Sequence, residues 1–343
     1  MNKTKIDWAD HTWNPVTGCR HECPYCYART MSKRFSGDIR LNKASDEYEY
    51  DEERDLYILD KPFITRSDRS LNYPFGFEPT LHRYRMDVPQ KLKQSKNIFV
   101  GSMADLFGEW VPDEWIEEVF KASEKSPQHN YLFLTKNPKR YVELIEKKIL
   151  RTGSNYWYGT TTTAPEDIFF SYDQLNTFVS IEPILQSWPG ASSVVKKVDW
   201  IIIGAETGNR KDKVVPKKEW ITTLMEQGRE SGIPILLKNS LRELMGEEFI
   251  QEFPDGLKQL EKIPRNTALY KRLYSSCGSC KKIDLKSEMI AILARRKRGE
   301  TAKQLAYLCD TCFDGWREVL AGIMREEDFK EKINKKKEES EEN

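Results

Sequence analysis

The chain has 343 residues, with 55 Lys and Arg against 54 Asp and Glu, for a net charge of +1. A balance that close creates no global field toward nucleic acid or a membrane surface, so a site for a charged partner must be local. No run approaches the roughly 18 consecutive apolar residues of a membrane span, and 343 residues accommodate about two domains, or one barrel with an appendage.

The N-terminal stretch MNKTKIDWADHTW lacks the apolar centre of a signal peptide. A cytoplasmic protein is therefore expected, in a compartment where thiols stay reduced and grouped cysteines bind metal more often than they form disulfides. The seven cysteines fall into two groups, Cys19, Cys23 and Cys26, then Cys277, Cys280, Cys309 and Cys312. An odd total suits a disulfide framework poorly but divides cleanly into a three-ligand and a four-ligand metal site.

A first strand is predicted within His11 to Thr17, running directly into the loop TGCRHECPYCYA. The spacing C-x3-C-x2-C places three thiols in one tight turn. A structural zinc wants four protein ligands and a closed tetrahedron. Three thiolates suit an iron-sulfur cluster with one iron left open, because cluster irons are held by Cys and their reactivity depends on the remaining coordination position. Three buried small hydrophobes, or an incomplete zinc site, are the plainer readings of the same residues. A helix is expected over Tyr27 to Phe35, its start facing the cysteines.

Residues 36 to 96 are charged and poorly periodic, with DEYEYDEERD in the middle and YPFGF further on. An irregular insertion covering one end of the core is expected, since loops of that length serve as lids, binding segments or disorder. Within it His82, beside Arg83 and Arg85, is expected as a solvated surface group, with substrate contact as the alternative.

From Asn97 the pattern becomes regular. Apolar runs recur at 97–103, 131–136, 156–162, 177–183, 200–206 and 234–240, with amphipathic stretches such as PDEWIEEVFKASEK and PKKEWITTLMEQGRESG between several of them. Short buried strands alternating with helices predict a parallel sheet with right-handed crossovers. With the first strand this makes about seven units, an α/β chain forming an open or partial (β/α) barrel of the TIM type. Chemistry in such a barrel collects where strands end. The strand-end residues are Ser102, Met103 and Asp105, then Thr135 and Lys136, Thr160 to Thr162, Ser180 and Glu182, Glu206 and Thr207, and Lys238. Lys136, Glu182, Glu206 and Lys238 are the most informative, being charges set just after apolar runs, where burial is costly without partners.

The first domain is expected to span 1–265. A four-cysteine unit follows at 270–320, of zinc-ribbon or treble-clef-like type, and a charged tail at 325–343. The spacing C-x2-C, 28 residues, C-x2-C exceeds the usual interval of about 15 to 20. Zinc would supply folding energy that so small a unit lacks, and an auxiliary iron-sulfur cluster is the alternative ligand. A helix is expected in SEMIAILARRKRGETAKQLAYL. Residues 281–308 carry eight Lys or Arg against three acids, which suits either a handle for phosphate backbone or a solvated helix face.

The cysteine loop resembles the radical SAM superfamily signature C-x3-C-x-aromatic-C, with Tyr25 at the aromatic position. Together TWNPVTGC, MADLF, LTKNP, SIEP and IIIGAETG, spread over residues 5 to about 240, resemble a phage-associated family of three-cysteine, radical SAM-like proteins. The resemblance implies a 4Fe-4S cluster on Cys19, Cys23 and Cys26 and S-adenosylmethionine on its open iron. It further implies reductive cleavage to a 5'-deoxyadenosyl radical, an electron donor such as flavodoxin or ferredoxin, and hydrogen abstraction from a substrate that it does not identify; a nucleotide or nucleic-acid base is the option that follows if the basic stretch 281–308 is a phosphate handle. The resemblance puts the Tyr25 backbone near adenine; Gly204 and Gly208 of GAETG would let backbone approach it, and Glu182, Glu206 and Lys238 are expected as cofactor contacts from their strand-end positions. After the second strand the superfamily places a glycine-rich segment ending in an acid. GSMADLF departs from it, leaving Asp105 or the Ser102 and Met103 backbone for the methionine amino group. A phage gene would place the protein in the bacterial host cytoplasm. The competing class is a non-enzymatic phage protein, nucleic-acid-binding or regulatory, with both cysteine sets on structural zinc.

Overall fold

Seven short strands pair in parallel, in chain order; all but the first have apolar side chains on both faces and so need cover on both. They are β1 (His11–Trp13), β2 (Asn97–Val100), β3 (Asn130–Thr135), β4 (Tyr156–Thr162), β5 (Asn176–Ile181), β6 (Trp200–Ile203) and β7 (Ile235–Leu237). In this computed structural model the described residues are 2–188, 197–208 and 210–257, with the backbones of four further strands beyond them. The sheet curls into a half-barrel of the expected partial TIM type. One edge is covered by the antiparallel strand Asn2–Lys3. At the other the chain returns along β7, Leu237 N donating to Ile250 O at 3.0 Å and Glu252 N to Ile235 O at 3.0 Å, so neither edge is left as a bare ladder.

The two-residue period of a strand sorts its side chains. Phe99, Leu132, Trp157, Phe178, Trp200 and Leu236 pack together on the inner face with Trp8. Their neighbours, such as Val100, Phe133, Tyr158, Ile181, Ile203 and Leu237, face the helices. Those helices are α2 (Asp113–Glu124), α3 (Lys139–Glu146) and α4 (Lys218–Ser231), while α1 (Tyr27–Phe35) follows the cysteine loop. α2 buries Trp115, Ile116, Val119 and Phe120, and α4 buries Ile221, Leu224 and Met225, each a stripe at helical spacing.

The insertion departs from the expected irregular segment. Val16–Thr17, Thr80–His82, Leu56–Leu59 and Glu49–Asp51 form a four-stranded mixed sheet. It has its own apolar centre, in which Tyr57 stacks on Phe75 at 4.2 Å. His82 is likewise no surface group: it is fully buried, one ring nitrogen 2.8 Å from Thr17 Oγ1. Burial holds its pKa well below the usual histidine value, so the ring is neutral.

The chain divides into two units, Met1–Leu260 and Glu261–Asn343. In the second, Tyr274–Ser276 pairs antiparallel with Ile283–Leu285, and Met289–Ala294 with Lys303–Cys309. The helix expected across this stretch is therefore corrected to paired strands. Its Ala, Leu, Lys and Arg content favours helix only weakly, and cross-strand backbone pairing overrides that preference. Cys277, Cys280, Cys312 and the tail at 325–343 lie outside the described residues. Among the described residues no helix is long and apolar enough to cross a membrane.

Candidate cluster and cofactor site at the strand ends

The inner-face period runs on past the strand ends and decides which residues meet. Continuing in steps of two from Leu132, Trp157, Phe178, Ile202 and Leu236 reaches Lys136, Thr161, Ser180 and Glu182, Glu206 and Lys238. These side chains line one cavity of about 250 Å³, floored by Trp8 and Phe99. Much of its remaining wall is the cysteine loop, contributing Cys19, His21, Cys23, Tyr25, Cys26 and Tyr27, with Phe77 and the segment 101–105 beside it.

Backbone constraints fix where that loop starts. Gly18 has φ +88°, and a Cβ there would lie 2.2 Å from Glu78 O, so only glycine fits. Its N–H donates to Met103 O at 2.9 Å, and Cys19 N donates to Phe77 O at 3.1 Å. The loop ends at Cys26, whose sulfur caps α1 by accepting from Arg29 N at 3.4 Å. The Arg29 guanidinium turns back to the carbonyls of Cys19 and His21, at 3.3 and 2.9 Å.

Asp105 is the main tie between loop and barrel. Its buried carboxylate accepts from His21 Nε2 at 2.9 Å, Thr135 Oγ1 at 2.7 Å, Phe107 N at 3.1 Å and Lys136 N at 2.9 Å. A carboxylate has about four acceptor positions, so all are in use. The Lys136 ammonium donates to Tyr25 Oη at 3.1 Å and lies 5.4 Å from its ring centre. Burial pushes the Cys19 thiol up to about 12, with the Asp105 charge adding to the shift. Burial also raises Cys23, partly offset by the Lys136 cation. Neither thiol ionises unaided at neutral pH, whereas coordination to a metal cation deprotonates a thiol outright. Among the described residues no three His, Cys, Asp or Glu side chains gather closely enough to hold a single ion. A cluster asks for no such gathering, because each thiolate binds its own iron. Three thiols from one loop opening on one cavity fit that donor set.

Across the cavity, Lys238 Nζ donates to Glu182 Oε1 in a close ion pair, the side chains 19 and 28% exposed. Gly204 makes room for them: a Cβ there would come within 2.9 Å of Lys238 Cδ and 3.3 Å of Glu182 Cδ. Gly204 thus packs under the pair and does not line the cavity. Glu206 does line it, held by Arg210 through bonds of 2.7 and 2.8 Å. The Arg210 guanidinium keeps its carboxyl below the usual carboxylate range.

Of the other residues expected here, Ser102 lines the cavity. Its carbonyl accepts from Tyr27 Oη at 2.7 Å, and its hydroxyl donates to Asn14 Oδ1 at 3.2 Å. Met103 is buried behind it, its N–H bonded to Asn14 Oδ1 at 3.0 Å and its carbonyl to Gly18. Four participants escaped sequence reasoning. His21 sits inside the cysteine loop, and Asn14 lies in the TWNP stretch just past β1. Arg210 stands four residues after Glu206. Asp7 is buried against Asn239, whose N–H it accepts at 2.9 Å; burial raises its carboxyl pKa.

Fold and site define a (β/α) half-barrel protein with a three-cysteine loop in the wall of its mouth cavity. Residues 3–242 match the family described as Protein of unknown function (DUF5131), and the chain belongs to that family. Two solved structures, both variants of spore photoproduct lyase, are similar at 11% identity and a TM-score of 0.38, covering 71% of this chain and 77% of theirs. No curated protein matches the chain.

Proposed function

We propose that this chain is a radical SAM enzyme. The observation that carries the reading is the placement of three thiols from one loop in the wall of the cavity that also holds the Glu182–Lys238 pair. Cys19, Cys23 and Cys26 would hold a 4Fe-4S cluster through three irons. Bound there with S-adenosylmethionine, the cluster supplies one-electron reductive cleavage of the cofactor and hydrogen abstraction from a substrate.

The protein's own residues bind, orient and exclude water. Glu182 would offer a carboxylate to the methionine amino group and Lys238 an ammonium to its carboxylate, with Glu206 in the same cavity. Asp105, its acceptors already filled, keeps the cysteine loop against the barrel. Tyr25 and Ser102 line the same cavity and would border the cofactor, and the apolar rings of Trp8 and Phe99 would help to exclude water from it. A flavodoxin or ferredoxin in the cytoplasm would supply the electron. In the second unit Cys277, Cys280, Cys309 and Cys312 would bind zinc, with 281–308 as a basic handle for nucleic acid.

Anaerobic reconstitution with iron, sulfide, reductant and S-adenosylmethionine tests the reading. The intact protein should turn brown and release 5'-deoxyadenosine, and Cys19→Ala, Cys23→Ala and Cys26→Ala should each abolish release. A colourless protein containing only zinc, or undiminished cleavage in Cys23→Ala, would overturn it in favour of a zinc-containing binding protein.

A further inference from the structure

Helix α1 is packed inside out. Its buried positions are the small residues Ala28 and Ser32, while Tyr27, Met31 and Phe35, spaced at i, i+4 and i+8, are 55, 41 and 39% exposed. Surface helices ordinarily turn their large apolar residues inward. With Leu41, these make four of the eleven exposed large hydrophobics among the described residues, within a span of 15 positions. Such a concentration marks an interaction surface, where single scattered residues would not.

The charge on this surface has one sign. α1 contains no acid, and its exposed cations Lys33 and Arg34 have no carboxylate at ion-pair distance among the described residues. Arg34 lies 5.5 Å from the Phe35 ring. The sole acid of residues 27–43, Asp38, caps the next short helix and pairs with Arg40 at 3.5 Å. Arg29, the remaining cation of α1, is turned inward to the loop carbonyls.

We infer that the outward face of α1 is a track for single-stranded nucleic acid leading into the cavity, and that the substrate unit is a base within that strand. The substrate clause rests on the radical SAM reading; the track does not. Exposed rings beside unpaired cations are what a single strand uses, the rings stacking bases and the cations following phosphates. An acidic protein partner would account for Lys33 and Arg34. It would leave unexplained why the apolar stripe ends at Tyr27, which also lines the cavity. A strand laid along the stripe delivers a base to that cavity.

The test is anisotropy of labelled 15-nucleotide DNA and RNA, single-stranded and duplex, with the full chain at two salt concentrations. Single strands should bind more tightly than duplex. Phe35→Ala should weaken single-strand binding about 5- to 150-fold, the range of one lost stacking contact. The double variant K33E/R34E should weaken it at least about tenfold and lower the salt slope by about 1.4, the share of two phosphates. These positions are exposed, so circular dichroism and the thermal midpoint should stay as in the parent. No single-strand binding at low salt, or equal binding in both variants, overturns the track. So does capture of an acidic electron carrier, but no strand, by Lys33 and Arg34. Binding is measured without reductant or S-adenosylmethionine, so a protein that binds strands but never releases 5'-deoxyadenosine fails the enzymatic reading alone. If cleavage occurs and added strand does not raise its rate, the substrate clause falls.

Discussion

His21 and Asp105 lock the cysteine loop onto the barrel through a 2.9 Å contact between Nε2 and Oδ2. The carboxylate simultaneously holds the start of the segment after β3, through Thr135 and the Lys136 N–H. Asp105→Ala would leave several buried donors unpaired, at about 1–3 kcal/mol each. We expect a loss of about 3 kcal/mol or more in urea unfolding, together with fewer irons incorporated per chain. Normal iron content in a folded Asp105→Ala protein would show that the loop holds itself.

Stability should fall on mild acidification. Burial holds His11 down to about 4 and His82 well below the ordinary value of 6.5. The unfolded chain takes up these protons near pH 6.5 and the folded chain does not, so stability is full above that pH and declines as pH falls toward 4. At 1.36 kcal/mol per unit, His11 alone accounts for about 3 kcal/mol across the window. Denaturant midpoints measured between pH 7.5 and 4.5 check this, and His11→Phe should flatten the profile.

The Glu182–Lys238 pair should be energetically coupled and dependent on Gly204. A double-mutant cycle with Glu182→Gln and Lys238→Met is expected to give about 1–3 kcal/mol of coupling in stability. Gly204→Ala, which crowds both side chains, should reduce that coupling and weaken S-adenosylmethionine binding in calorimetry. Additive single effects would mean the two charges act separately.

The zinc proposed for the second unit should be held independently of the cluster proposed for the first. On that reading Cys277→Ser is expected to release zinc and raise proteolysis within 274–315 while leaving the iron absorbance of the reconstituted protein intact. Loss of iron in that variant would contradict independence.

What the sequence disclosed follows from periodicity and its reach. The seven strands were legible because runs such as WIII and NYLFLT are too apolar to lie anywhere but between two covered faces. Lys136, Glu182, Glu206 and Lys238 were legible because a charge one step beyond such a run falls at a strand end. The insertion's sheet was not, since Val16–Thr17 and Thr80–His82 are too short to show a period and Thr80–His82 pairs with residues more than 20 positions away. That pairing also buried His82, which its charged neighbours had marked as exposed. His21, Asn14 and Asp7 act through partners brought near by folding alone. The strands Met289–Ala294 and Lys303–Cys309 lay hidden under residues that favour helix in isolation.

Gly18 touching the Glu78 carbonyl has a consequence for anyone wishing to pare the protein down. The insertion, by its sequence an ornament on the barrel, supplies the carbonyls against which the first cysteine is set, at Phe77 and Glu78. A minimal barrel with residues 36–96 excised would therefore lose the footing of its cysteine loop. Substitutions at Phe77, Glu78 or Pro79 should behave as lesions of the site, although none of these residues bears a group that any reaction needs.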